Sequence, residues 1–172
     1  MSHIFALSNL LKIKKESFLN SLNSFKGLPH RYEIFLRRKN CTFINDSKAT
    51  TFEATKFALK NTKNIYWILG GLPKKKDKII LRDVKKNINK SYIIGENIDF
   101  FKKNLQNKIN FYEAKTLKNS IVKALKDISN NKKKHISLLF SPASASFDQF
   151  LNFEKRGEEF KKLSRFYARK YI

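Results

Sequence analysis

Ile44-Asn45-Asp46-Ser47-Lys48-Ala49-Thr50 decides how the chain is read, because it follows a short run of β-formers and opens a helical one. A carboxylate, an amine and several hydroxyl and amide groups thereby fall at a strand-to-helix corner. In an α/β fold such a corner joins the C-terminal end of a strand to the N-terminal end of a helix, where ligands collect and helix amides favour anions. Asp46, Lys48 and Thr50 are therefore expected to form part of a substrate site. A second reading of Thr50 is equally physical. Thr50 and Glu53 have the spacing of a capping box, in which the hydroxyl serves the helix start instead of a ligand.

Upstream of this corner, residues 32–36 and 41–44 are β-formers separated by Arg37-Arg38-Lys39-Asn40, which predicts a β-hairpin. Gly27-Leu28-Pro29 precedes it and marks a domain boundary, since Gly favours a helix C-terminus and Pro cannot continue the ladder. Before the boundary, Ile4, Leu7 and Leu11, then Phe18, Leu19, Leu22 and Phe25, recur at helical spacing, with Lys12, Lys14 and Lys15 in the break. Residues 1–26 are thus expected to form a helical hairpin, which has no core of its own and must pack on something else.

Downstream, the helix is expected to run to about residue 60 with Phe52, Ala54, Phe57 and Ala58 inward. Residues 65–69 read as a strand buried on both faces, stopped by Gly70-Gly71 and followed by Leu72-Pro73-Lys74-Lys75-Lys76-Asp77. Strands at 92–94, 109–112 and 136–140 alternate with helices at 98–105 and 117–128. This alternation predicts an α/β fold with a largely parallel sheet and covering helices. Asn130 to Lys134 forms a polar loop. Ser141-Pro142-Ala143-Ser144-Ala145-Ser146 follows the last strand, and Ser146 with Gln149 has capping-box spacing for the next helix start. The C-terminal helices carry Phe147, Phe150, Phe153, Phe160, Leu163 and Phe166, with Gly157 near their junction.

At 172 residues the chain suffices for one hydrophobic core plus an appendage. No run approaches the roughly eighteen apolar residues of a membrane span, and the N-terminal charges follow the apolar residues instead of preceding them as in a signal peptide. A cytoplasmic protein without a membrane partner is the expectation. One cysteine, Cys41, excludes an internal disulfide, and no Cys/His spacing suggests zinc. His3, His30 and His135 have no partner spacing for catalysis and read as structural. The net charge of +23 suggests a polyanion partner. However, the excess is almost all Lys, with seven Arg, and accompanies heavy use of Asn, Ile and Phe, as the codons of an AT-rich genome would produce. With no RNP-like strand, finger or basic arm, nucleic acid is disfavoured as a partner, and a basic nucleic-acid-binding module is kept as the alternative reading. A non-catalytic interaction module acting through the helical hairpin is a third.

In a parallel sheet the strand ends at Asp46, Gly70-Gly71 and Ser141 open on one edge, so a lysine and helix N-termini converge there on a small carboxylate or phosphate. The competing reading of Lys74, Lys75 and Lys76 is an exposed turn in a Lys-rich protein. No phosphate loop of the form G-x-x-x-x-G-K-[ST] is present.

Taken together, Gly27-Leu28-Pro29-His30-Arg31, Asn45-Asp46-Ser47-Lys48-Ala49-Thr50, Gly70-Gly71 with Lys74, and Ser141 to Phe150 followed by Asn152-Phe153-Glu154 and Arg156-Gly157 resemble the C-terminal part of a Mur ligase, in the branch that adds D-glutamate. The order and spacing of four motifs over residues 27–157 carry the resemblance. It implies a Rossmann-like domain spanning 27–172, with 1–26 a helical remnant of the central ATP-binding domain. It implies Arg31 and Asp46 as nucleotide-binding residues, Thr50, Lys74, Ser146, Phe147 and Phe153 around D-glutamate, and Lys48 as a catalytic residue between the two groups. ATP and Mg2+ would be held mainly by a central domain absent from this chain. UDP-N-acetylmuramoyl-L-alanine would likewise bind only with the missing domains. The family activity is ATP-dependent, ADP-forming joining of D-glutamate to that substrate in peptidoglycan precursor synthesis, through an acyl phosphate. The chain is expected to be a fragment, inactive alone.

Overall fold

The computed structural model describes residues 2–75, 77–132 and 135–172. Two helices, α1 (Ser2–Leu10) and α2 (Lys15–Ser24), form the expected hairpin, and Phe5 meets Phe18 edge-on at 5.8 Å. Ser8 is the one buried residue among those whose side chains are described in this hairpin. The chain then enters β1 (Glu33–Arg38), turns through Lys39-Asn40, and returns antiparallel as β2 (Cys41–Asn45). After β2 come α3 (Phe52–Asn61), β3 (Ile65–Gly70), β4 (Ile88–Ile94), α4 (Ile98–Leu105), β5 (Phe111–Lys115), α5 (Leu117–Ser129), β6 (Ile136–Phe140) and α6 (Phe153–Tyr171).

The strands form one six-stranded sheet in the order β1-β2-β6-β3-β4-β5, and every pairing except β1 with β2 is parallel. The α/β reading therefore holds. Residues 65–70 are buried throughout, so alternate side chains of β3 feed two cores. Ile65, Trp67 and Leu69 join Ile44, Leu139, the inner faces of α3 and α4, and Ile79, Leu81 and Val84. Tyr66 and Ile68 join Phe43, Leu138, Phe140 and the inner faces of α5 and α6. A continuous apolar strand is what this double burial demands.

Several boundaries differ from expectation. The strand expected at 109–112 is the edge strand β5 at 111–115. Helix α2 ends at Ser24, short of Gly27, whose φ of +84° serves the connection instead. On α3 the buried residues are Phe52, Thr55, Ala58 and Leu59, while Ala54 faces out and Phe57 is 63% exposed. The inner stripe is set by Leu59 and Thr55, which shifts the helix face away from Phe57. No helix begins at Ser146. Residues 146–150 make a single turn, with the amides of Gln149 and Phe150 donating to the Ser146 carbonyl, and one long helix starts at Phe153. Gly157 lies inside α6, not at a junction. A Cβ there would come within 2.2 Å of His30 Nδ1, so α6 packs against the residue 30 turn only because position 157 lacks a side chain. Of the aromatic residues carried by α6, Phe160 is buried and Phe166 is 65% exposed. The expected polar loop 130–134 falls partly on Lys133 and Lys134, outside the described residues.

Candidate functional site

The chain passes from β2 through α3 to β3, two positions along the sheet, and β6 later fills the gap between them. The loops leaving β2, β6 and β3 are consequently neighbours on one edge, and they carry nearly all of the sequence-predicted site residues.

The first loop begins with Asn45 and Asp46. The Asn45 side chain is fully buried, and its Nδ2 lies 2.9 Å from His30 Nδ1 and donates to Glu33 Oε2 at 3.0 Å. Glu33 Oε2 also accepts from the His30 amide, and Lys161 Nζ reaches Glu33 Oε1 at 2.9 Å. Burial alone would raise the Glu33 carboxyl, but these donors outweigh it and hold the group below its ordinary value. Burial, reinforced by Lys161, holds the His30 imidazole below its ordinary value, in keeping with a structural histidine. His30 adopts φ +63°, and its carbonyl accepts from the Lys48 amide at 3.0 Å. The 27–31 segment is thus fastened to the corner that it precedes by some fifteen residues in sequence.

Asp46 is 8% exposed, with Oδ1 accepting from the Tyr32 amide at 3.1 Å and Oδ2 from the Ser141 hydroxyl at 2.7 Å. Ser141 Oγ also lies 2.9 Å from Thr55 Oγ1, and its carbonyl accepts from Trp67 Nε1 at 2.8 Å, which ties the β6 loop to the core. Burial pushes the Asp46 carboxyl up despite those hydrogen bonds and the charge of Arg31. Arg31, Tyr32, Asp46, Lys48, Ala49, Ala54 and Phe57 line a cavity of about 320 Å³ on this side of the corner. It combines a guanidinium, a carboxylate, an ammonium and an exposed aromatic ring.

Lys48 connects this cavity to α6: its Nζ sits 3.7 Å from the centre of the Phe153 ring, which also meets His30 edge-on at 6.0 Å. An ammonium over an aromatic face gains electrostatic attraction without neutralising its charge. Sequence reading assigned Lys48 and Phe153 to one site, and the structure puts them in direct contact.

Thr50 does not cap α3. The cap is Thr51, whose hydroxyl accepts from the Ala54 amide at 3.3 Å, and the capping-box reading of Thr50 with Glu53 is overturned. A carboxylate also sits at this helix start, since Asp77 Oδ2 accepts from the Phe52 amide at 3.0 Å. The Phe52 and Ala54 amides in the first turn of α3 are therefore satisfied internally. At α6 the same office falls to Asn152, whose Oδ1 accepts from the Lys155 amide at 2.8 Å, and not to Ser146. The two helix N-termini expected to meet a ligand anion each carry a cap from the protein itself.

The β3 and β6 loops are zipped together. Leu72 and Ala145 exchange both backbone hydrogen bonds at 3.0 Å, the Gly70 amide donates to the Pro142 carbonyl at 3.0 Å, and Ser144 Oγ donates to the Gly70 carbonyl at 2.6 Å. Gly71, at φ +128°, admits no side chain, because a Cβ would lie 2.3 Å from the Ala145 carbonyl oxygen. This bridge brings the stretch holding Lys74 beside the stretch holding Ser146. Lys74 and Lys75 are exposed, Ser146 is 2% exposed, and Phe147 is 71% exposed at the rim. Lys76 lies outside the described residues.

Two contributors were assigned no site role in the sequence reading, although Arg156 stood in a motif that carries the resemblance. Arg156 is 1% exposed on the inner side of α6, donating from Nε to Ser47 Oγ at 3.1 Å and from Nη2 to the Ser47 and Ser144 carbonyls at 2.9 and 3.0 Å. It thus clamps the β2 loop to the β6 loop, and burial brings its pKa down to about 10. Ser47 Oγ in turn donates to the Phe153 carbonyl at 2.8 Å. The available signal was an Arg spaced three and four residues from Phe153 and Phe160 on an apolar helix face. Asp77 is the second, and nothing in its Lys-rich surroundings distinguished it. Among the described residues no group of three or more His, Cys, Asp or Glu side chains gathers as a metal site, and no helix is long and apolar enough to cross a membrane.

No protein-family profile matches the chain. Against curated proteins it is 39% identical over 155 residues to the UDP-N-acetylmuramoylalanine--D-glutamate ligase of Wolbachia sp. subsp. Brugia malayi, covering 90% of this chain and 31% of that protein. It is 40% identical over 159 residues to the enzyme of that name from Bartonella henselae, covering 91% of this chain and 34% of that protein. For the Brucella abortus ligase the figures are 44% over 141 residues, 81% and 30%. The chain spans about a third of the length of the curated relatives it matches. It belongs to the Mur ligase family, as a counterpart of the C-terminal part of UDP-N-acetylmuramoylalanine--D-glutamate ligase.

Proposed function

We propose that the chain forms the D-glutamate-binding portion of a cytoplasmic, ATP-dependent ligase that joins D-glutamate to UDP-N-acetylmuramoyl-L-alanine in peptidoglycan precursor synthesis. The observation that carries this reading is the position of Lys48. Its ammonium rests on Phe153, the residue lines one cavity with Arg31 and Asp46, and it stands two residues before Thr50 on the same loop.

In this reading Arg31 and Asp46 hold the nucleotide: the carboxylate accepts from sugar hydroxyls and the guanidinium offers a planar donor fork. The donor set fits that part of a nucleotide. ATP supplies a phosphoryl group to the muramoyl-alanine carboxylate with release of ADP, and the D-glutamate amine then displaces phosphate to form the amide. Thr50, Lys74, Ser146 and Phe147 bind and orient the amino acid, with the Phe153 ring forming one wall, while Lys48 stabilises charge between nucleotide and amino acid. Mg2+ and most of the triphosphate contacts are assigned to the part of the relatives that this chain does not span.

A chimera tests this directly. Replacing the matching portion of the Bartonella henselae ligase with this chain should give D-glutamate ligation with ADP release, and Lys74→Ala in that chimera should raise the D-glutamate KM far more than the ATP KM. Ligation unchanged in Lys74→Ala, Lys75→Ala and Lys76→Ala alike would remove the amino-acid site. The 172-residue chain alone should produce no ADP.

A further inference from the structure

We infer that Asp77 is a positioning residue that sets the distance between Lys74 and Thr50 for D-glutamate, an inference that rests on the D-glutamate reading above. Apart from Phe153 on α6, three loops supply the side chains assigned to that ligand, and the one that carries Lys74 is pinned at Leu72 and at Asp77. At its start, Leu72 exchanges two backbone hydrogen bonds with Ala145, the neighbour of Ser146. At its end, Asp77 Oδ2 takes the Phe52 amide at 3.0 Å, two residues beyond Thr50. The Asp77 amide donates back to the Lys74 carbonyl at 2.9 Å, so Lys74 lies in the same tight turn as its anchor.

Ser146, Lys74 and Thr50 therefore belong to one hydrogen-bonded framework, in which backbone atoms make every link on this path except the Asp77 carboxylate. A long, exposed lysine has many rotamers, and only its backbone position can be fixed by the fold. Fixing it limits where the ammonium reaches. The acceptor also occupies an amide at the α3 start, which keeps that amide from competing for the ligand carboxylate. A carboxylate at a helix start stabilises the helix as well, so binding and stability must be read separately.

The test uses the 172-residue chain, 15N-labelled, titrated with D-glutamate and separately with ADP, with folding followed through Trp67 fluorescence. Asp77→Ala should weaken D-glutamate binding by about tenfold, as expected for losing one hydrogen bond that holds the loop, while leaving ADP affinity unchanged. Asp77→Asn keeps an acceptor oxygen and should recover most of the loss. Asp77→Ser, too short to reach the amide, replaces the Ala variant if that one fails to fold. D-glutamate affinity within twofold of the parent in both Ala and Ser variants would overturn the inference, as would equal losses in Ala and Asn. Absence of any D-glutamate response in the parent chain would instead remove the underlying reading, and the inference with it.

Discussion

Asp46 holds a carboxylate in a place that favours its neutral form. Because burial raises its pKa in the fold, the folded state binds the proton more tightly than the unfolded chain. The stability linked to this group is therefore fully present below the ordinary carboxylate pKa and is lost as pH rises through the raised value. Asp46→Asn keeps one oxygen for the Tyr32 amide and removes the charge. Its melting temperature relative to the parent should increase from about pH 4 to about pH 7, while binding of ADP to the Arg31 side of the corner falls; a variant that melts lower than the parent by the same margin at both pH values would show that the charge is not strained. This opposition between stability and binding is what distinguishes a functional carboxylate from a turn former. It also shows what was legible at this scale. The residue types and spacing of Asp46, Lys48 and Thr50 named the corner, where Asp46 and Lys48 line one cavity and Lys48 sits on the Phe153 ring. Arg156 and Asp77 were not legible as contributors, because their partners are backbone groups 12 to 109 residues away in sequence, and no local pattern encodes such pairs.

Element existence was readable from periodicity, and element ends were not. The strand spanning 65–70 announced itself by continuous apolar character, and the alternation of strands with helices gave the parallel sheet. Helix starts were misplaced where two residues of the same chemistry compete. Thr50 and Thr51 are chemically identical, and the choice of Thr51 depends on Asp77 arriving from another loop to satisfy the Phe52 amide. At 146–153, Ser146 had the spacing of a cap, but its carbonyl accepts from the Gln149 and Phe150 amides in a single turn, and α6 begins only after the Asn152 cap. The two threonines can be separated experimentally. In urea unfolding Thr51→Ala should cost about 1 kcal/mol, as for other lost caps, whereas Thr50→Ala should stay within about 0.5 kcal/mol of the parent. D-glutamate binding should show the reverse order. A stability loss confined to Thr50→Ala would return that residue to capping and take it out of the site.

At the scale of the whole molecule, the sheet with its two cores and the hairpin α1–α2 are unequal partners. The cores enclose α3 to α6, while the hairpin exposes Ile4, Phe5, Leu7, Leu10, Leu11 and Phe25 at 51 to 79% and buries only Ser8 among the side chains described there. Apolar surface of that extent on a two-helix unit is unstable in water unless covered, since such a unit has no interior of its own. The relatives are about three times as long as this chain, and the portion they have in addition is the proposed cover. The boundary proposed at residue 27 then has a direct thermodynamic consequence. Gly27 has φ +84° and no atom within 4 Å of where a Cβ would stand, and among the described side chains of the hairpin only Ser8 is buried, so little of the hairpin packs on the sheet domain. Deleting residues 1–26 should leave the urea-unfolding free energy of the remainder within about 0.5 kcal/mol of the full chain, the range of changes that touch no packed group. Concentration-dependent self-association should fall at the same time, measured by sedimentation velocity. A loss of several kcal/mol on deletion would mean instead that the hairpin belongs to the cooperative unit, and that its apolar face is covered in solution by the sheet domain itself.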